Sequence, residues 1–110
     1  MKVRAVAALS VAVLALAGCK LQHTGGSQPV TKAEAAAMVS ATRFGKVLGG
    51  YRNLIPRSDS APLAALISSL SQLASDFCDV VPECDLNPVL VRKGSGDVRV
   101  VDALFVAAGQ

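Results

Sequence analysis

Glu83-Cys84-Asp85-Leu86-Asn87-Pro88-Val89-Leu90-Val91, read together with Asp102, is the stretch that decides the fold. Residues 80–91 read as a strand. Lys93-Gly94-Ser95-Gly96-Asp97 follows as a turn, and a second strand runs from Val98 to Val106. A two-residue turn on Gly94-Ser95, with glycine at the first central position, suits a type II′ hairpin. The register then follows. Lys93 faces Gly96, Arg92 faces Asp97, Val91 faces Val98, Val89 faces Val100 and Asn87 faces Asp102. Opposed residues of an antiparallel pair share a face and have neighbouring β-carbons. Arg92 and Asp97 would form a cross-strand charge pair that supports this alignment.

Strict alternation puts Asp102 on one face with Val98, Val100 and Leu104. It puts Asn87 on a face with Val89 and Val91, and also with Glu83 and Asp85. A carboxylate on an apolar strand face is costly unless it is paired or metal-bound. A carboxylate beside an amide oxygen suits Mg²⁺, which takes hard oxygen ligands and keeps places for phosphates. The alternative is that Asp102 ends its strand in solvent, with Asn87-Pro88 a local bulge.

Working outward, Ser60-Ala61-Pro62 opens a helix expected over 61–76, with Ser60 or Asp59 as N-cap and Pro62 in the first turn. Leu63, Leu66, Ile67, Leu70, Leu73, Ala74 and Phe77 recur at helical spacing and form a core-facing stripe. Further upstream, Thr31-x-x-Glu34 reads as a capping box for a helix at 32–43, rich in alanine. Gly45 and Gly49-Gly50 break the chain after it, and residues 51–60 read as loop. The expected architecture is α/β in the sense of an α+β fragment: two helices packed on a small sheet built around an antiparallel hairpin. A core of this size is marginal by itself.

The N-terminus has a different character. Residues 1–19 look like a secretion leader: Lys2 and Arg4, then an apolar run from Ala5 to Ala17 broken only by Ser10. The run is short for a membrane span. Leu16-Ala17-Gly18-Cys19 resembles a lipoprotein processing box, which would leave Cys19 as the lipidated N-terminus of a cell-envelope protein. Residues 20–30 are a linker containing Gly25-Gly26-Ser27-Gln28-Pro29, and the folded domain is expected over 31–108. The leader is expected to be disordered or helical.

The chain has 110 residues and a net charge of +3, of which Lys2 and Arg4 belong to the leader. The remainder is close to neutral and has no basic run, so nucleic acid is excluded as a partner. Cys19, Cys78 and Cys84 follow no zinc-ligand spacing. Cys78 and Cys84 read as small buried residues that could pair only in an oxidising compartment. His23, the single histidine, stands in the linker with no ligand neighbour.

Glu-x-Asp-Leu-Asn-Pro-Val at 83–89, followed by Val101-Asp102-Ala103, resembles the end of the ATP-grasp domain of NDP-forming acyl-CoA synthetases, the ADP-forming acetate–CoA ligase family related to succinyl-CoA synthetase β subunits. Gly49-Gly50-Tyr51-Arg52, the segment from Ser69 to Phe77, and Pro29-Val30-Thr31 through Met38 are similar to further family segments, so the resemblance covers about 29–106. It implies a ligase activity joining an acyl group to coenzyme A with ATP/ADP as cofactor. It implies Asn87 and Asp102 as Mg²⁺ ligands, with Glu83 and Asp85 shaping the nucleotide site. No catalytic residue is expected on this chain.

Leu104 stands where the family has a basic residue, and Asn53 where it has glycine. The Phe77–Asn87 interval is one residue longer than the family's. The upstream nucleotide-clamping region and the CoA-binding partner with its active histidine have no counterpart in these 110 residues. The resemblance therefore implies a fragment, inactive alone, that works with a complementing ATP-grasp or CoA-binding chain in the cytoplasm. The leader implies instead a small envelope lipoprotein acting as a structural or binding module, touching the membrane only if Cys19 is lipidated. A plain α/β domain without a ligand is the third reading.

Overall fold

A computed structural model describes residues 5–14, 29–50 and 56–109, the first of these as backbone only. The elements are β1 (Ala5–Leu14), α1 (Lys32–Ala41), α2 (Arg43–Leu48), α3 (Ala61–Asp76), β2 (Glu83–Arg92), β3 (Val98–Val100) and β4 (Ala103–Val106). β2 is the central strand. It pairs antiparallel with β1 along one edge, and with β3 and then β4 along the other.

α1 starts where the sequence says it should. Thr31 Oγ1 accepts from the Glu34 N–H at 3.1 Å, and Glu34 Oε2 accepts from the Thr31 N–H at 2.7 Å. The helix does not continue to residue 43. Thr42 turns extended, its hydroxyl donates to Val39 O at 2.7 Å, and the same oxygen accepts from the Gly45 N–H at 3.0 Å. One threonine thereby closes α1 and caps α2. A β-carbon on Gly45 would run into the Val39 carbonyl, so this corner needs glycine. Among the described residues three helices form where two were expected.

α3 matches its expected span. Ser60 makes no side-chain cap; Asp59 takes that role, its Oδ1 accepting from the Ala61 N–H at 2.9 Å. Leu63, Ala64, Leu70 and Ala74 form its buried face. Leu63 and Leu70 cluster with Cys84, Leu86, Val89 and Val91 of β2, and Val39 and Leu48 complete the core. Each fully buried Leu or Val contributes about 1.5–3 kcal/mol through loss of apolar surface to water. Val30 ties the incoming chain to α3: its carbonyl accepts from Ser68 Oγ at 2.8 Å and its N–H donates to Ser71 Oγ at 3.0 Å.

The expectation of a disordered or helical leader is corrected by β1, a strand of ten residues laid along β2. The processing box at 16–19, Cys19 itself, His23 and the Tyr51-Arg52 part of the glycine segment lie outside the described residues. Among the described residues no helix is long and apolar enough to cross a membrane. Cys78 is disulfide-bonded while Cys84 is free and buried, so these two are not partners of each other.

Candidate functional site: the outer face of the hairpin

The hairpin register is the one read from the sequence. Val91 pairs with Val98 and Val89 with Val100, and the same alignment continues to Leu86 with Ala103 and Glu83 with Val106. Arg92 Nη1 lies 3.7 Å from Asp97 Oδ2, a partly exposed pair worth at most about 1 kcal/mol.

The turn differs in kind. The Gly96 N–H donates to Arg92 O at 3.0 Å, while the Arg92 N–H donates to Asp97 O at 2.8 Å. Arg92 thus opposes both Gly96 and Asp97, so the turn is a three-residue loop, Lys93-Gly94-Ser95, closed by one extra residue on the returning arm, and the Arg92–Asp97 alignment is kept. Gly96, at φ 73°, forms the bulge. The turn is also held from outside. Gly94 N–H donates to Ser58 Oγ at 3.1 Å, and Gly94 O accepts from the Asp59 N–H at 3.0 Å. Ser58 is buried, its own N–H donating to Leu48 O.

The face assignment is corrected. Along β2 the buried residues are Cys84 and Leu86, then Val89 and Val91. Alternation slips by one between Leu86 and Val89. Against β1 the cause is visible: Leu9 faces Val89 and Val11 faces Leu86, so Asn87 and Pro88 together oppose one residue. This is a β-bulge, and the Asn87–Pro88 peptide bond within it is cis. Proline is tolerated in this central strand because the bulge asks no ladder N–H of it. The returning arm breaks at the same level, between Val100 and Ala103. The Asn87 N–H donates to Asp102 O at 3.0 Å, and the Val101 N–H donates to Pro88 O at 3.0 Å.

Asn87 therefore does not share a face with Val89 and Val91, nor Asp102 with Val98 and Val100. Val89 and Val91 point to the helices. Glu83, Asp85 and Asn87 belong to the outer face, with Leu104 across from Asp85. Asn87 and Asp102 are exposed, and Glu83 and Asp85 are half-buried. The carboxylates are consequently not marooned on an apolar face. The bulge weighed from the sequence is present, and so is the Asn87–Asp102 opposition.

One Asp102 oxygen, Oδ1, accepts from the Ala103 N–H at 2.9 Å, which fixes the carboxylate at the strand break. Among the described residues no three His, Cys, Asp or Glu side chains converge as a metal cage. The donor set is an amide oxygen opposite a carboxylate, in solvent, with two further acids along the same strand. That suits a cation which keeps waters and phosphate oxygens and takes one or two protein ligands. On the core side, burial pushes the Cys84 thiol pKa up, and Asp85 and Glu83 add to the shift. Sequence reasoning missed the parity change; its signal was Asn-Pro inside a strand, a pair that favours a bulge.

The chain is similar to several known proteins. The ATP-grasp domain family matches residues 17–106. A 4-hydroxybutyrate–CoA ligase [ADP-forming] of Nitrosopumilus maritimus is 42% identical over 74 residues, which are 67% of this chain and 10% of that protein. The acetate–CoA ligase [ADP-forming] II subunit beta of Pyrococcus furiosus is 37% identical over 82 residues, 74% of this chain and 34% of that protein. Among solved structures, a Pyrococcus horikoshii protein superposes with TM-score 0.65 at 24% identity, covering 74% of this chain and 34% of its own. The dinucleotide forming acetyl-coenzyme A synthetase 1 of Candidatus Korarchaeum cryptofilum, in complex with coenzyme A and Mg-AMPPCP, superposes with TM-score 0.57 at 26% identity. That match covers 72% of this chain and 35% of the other. The chain spans between a tenth and about a third of the curated relatives it matches. It belongs to the ATP-grasp domain family, as a fragment of the kind found in ADP-forming acyl-CoA ligases.

Proposed function

We propose that this chain supplies the Mg²⁺- and nucleotide-facing hairpin of an ADP-forming acyl-CoA ligase and works only with a complementing chain that carries the rest of the site. The observation that carries this reading is the opposition of Asn87 and Asp102 on the outer face, beside Glu83 and Asp85.

Asn87 and Asp102 would hold the ion through an amide and a carboxylate oxygen. Mg²⁺, when bound, neutralises phosphate charge during phosphoryl transfer. The chain's own part is positional. The bulge turns Asn87 away from the core, the Ala103 N–H aims Asp102, and the anchored turn keeps the two arms in register. Glu83 and Asp85 give the same face a negative field that attracts a divalent cation and opposes a bare polyphosphate, so nucleotide would arrive with its metal. The acyl-CoA chemistry itself would fall to the parts of the relatives that these residues do not match, and the relatives, both ADP-forming CoA ligases, support the reaction class only.

The test is a titration of the full chain with Mg²⁺ and ADP, followed by amide NMR. Shifts at Asn87 and Asp102 that need both components are expected. A folded protein that shows none overturns the assignment. The envelope reading has Leu16–Cys19 as its support, and intact-mass measurement decides it: a diacylated Cys19 places the chain outside the cytoplasm, where acyl-CoA and ATP are not supplied.

A further inference from the structure

We propose that the β2 edge now covered by β1 is the seat at which a strand of the complementing ATP-grasp chain adds, and that β1 is a displaceable stand-in. This rests on the fragment reading above and specifies its docking surface.

Three observations converge. First, β1 ends at Leu14, ahead of the segment 17–106 that matches the family, whereas every other element lies within it. The strand that fills this edge is thus not part of the matched domain, although the edge itself is. Second, the two sides of β2 are fitted unequally. β3 and β4 keep one register from Val91–Val98 to Glu83–Val106. β1 carries an irregularity of its own between Ala5 and Ala7, besides the shift between Leu9 and Val11 that the Asn87-Pro88 bulge imposes on it. Its sequence, Ala-Val-Ala-Ala-Leu-Ser-Val-Ala-Val-Leu, carries no charge, proline or glycine to pin an alignment. Sliding it by one residue exchanges one set of small apolar side chains for another, which is the condition for slippage and exchange. Third, the connection permits departure. Residues 15–28 can span at most about 50 Å, while Val30 stays fastened to Ser68 and Ser71 of α3. The Val30 anchor to α3 does not depend on β1 staying in place.

The occupant this edge fits is an extended segment that donates and accepts backbone hydrogen bonds along 83–92. The relatives supply its source, because about two thirds of the Pyrococcus furiosus subunit has no counterpart in this chain. Were the leader removed after Gly18, the same edge would be bare, so processing and docking would act on one surface.

The experiment co-expresses the full chain with the part of the Pyrococcus furiosus β subunit that it does not match, and measures amide exchange in the co-purified pair. Exchange at 5–14 should rise at least tenfold while 83–92 stays protected. An Ala8→Pro/Val11→Pro chain, whose β1 is weakened, should recover about tenfold more partner. Phe105→Lys, on the opposite edge, should leave recovery within twofold. If the pair forms with 5–14 still protected, or if Phe105→Lys abolishes it, the seat is elsewhere and the fragment reading stands. If no pair forms with any variant, both fall. Should the proline variant fail to fold, exchange in the wild-type pair decides alone.

Discussion

Asn87 donates its backbone N–H to the carbonyl oxygen of Asp102 at 3.0 Å, so the two residues stand across from each other where both arms of the hairpin bulge. Both are exposed, and neither contributes to the apolar core. Asp102→Asn should therefore leave stability within about 0.5 kcal/mol, as is usual for surface changes. It should weaken Mg²⁺-dependent ADP binding about tenfold, or roughly 1.4 kcal/mol. Denaturant melts and calorimetric titration of the complemented protein check the two halves. Equal binding by both forms would remove Asp102 from the site.

Gly96 and Gly94 both have positive φ, at 73° and 78°, but differ in surroundings. A β-carbon at Gly96 would collide with the Asp59 carbonyl, whereas at Gly94 nothing stands near. Gly94→Ala should cost about 1 kcal/mol from the left-handed backbone alone. Gly96→Ala should cost about 2–4 kcal/mol, since the Asp59 loop must also shift. Comparing urea midpoints of the two variants tests the difference.

The capping box sets a pH dependence. The backbone hydrogen bond from Thr31, with its side-chain contact, holds the Glu34 pKa below its ordinary 4.5. Its charged form is thus favoured in the folded state. The associated stability is fully present above 4.5 and is lost as pH falls through the lowered value. Glu34→Gln should be flatter than wild type between about pH 5 and 3, where carboxylates titrate. Circular dichroism melts across that range measure it. Thr31→Ala should lower stability by about 1 kcal/mol at neutral pH.

Cys84 is 2% exposed, and burial raises its thiol pKa, so little thiolate forms and little reagent reaches it. Alkylation by iodoacetamide at pH 8 should be at least about 100-fold slower than for a free thiol, and should recover on denaturation. Fast alkylation of the native protein would contradict the packing of Cys84 against the helices.

The sequence made the long-range features legible where one physical rule dominated. The stripe Leu63–Leu70–Ala74 has a single period, so α3 was readable to its ends. Thr31-x-x-Glu34 carries its own hydrogen-bonding logic. The register was readable through the Arg92–Asp97 pair, an alignment that the wider, bulged turn keeps although the two-residue turn does not form. What alternation alone could not convey was the exchange of faces at Asn87-Pro88, because period-2 reasoning assumes no bulge. Thr42 was missed for a related reason: alanine-rich propensity on one side hides a cap whose signal, Thr-x-x-Gly, is weak. The leader pattern of 5–14 is apolar in a way that fits a signal segment and a strand equally, and only pairing with β2 distinguishes them.

Because Asn87-Pro88 and Val101-Asp102 shift phase at the same level, the hairpin tolerates change in length there only in matched form. Removing one residue from the β2 arm would send Glu83 and Asp85 toward the helices and Cys84 and Leu86 into water, and removing one from the returning arm alone would slip β4 along β2. Removing one from each arm would keep the arms aligned but erase the outward turn. Family members that differ in length at this level should therefore differ on both arms at once, and an alignment showing a gap in one arm alone would mark a misplaced gap or a lost site.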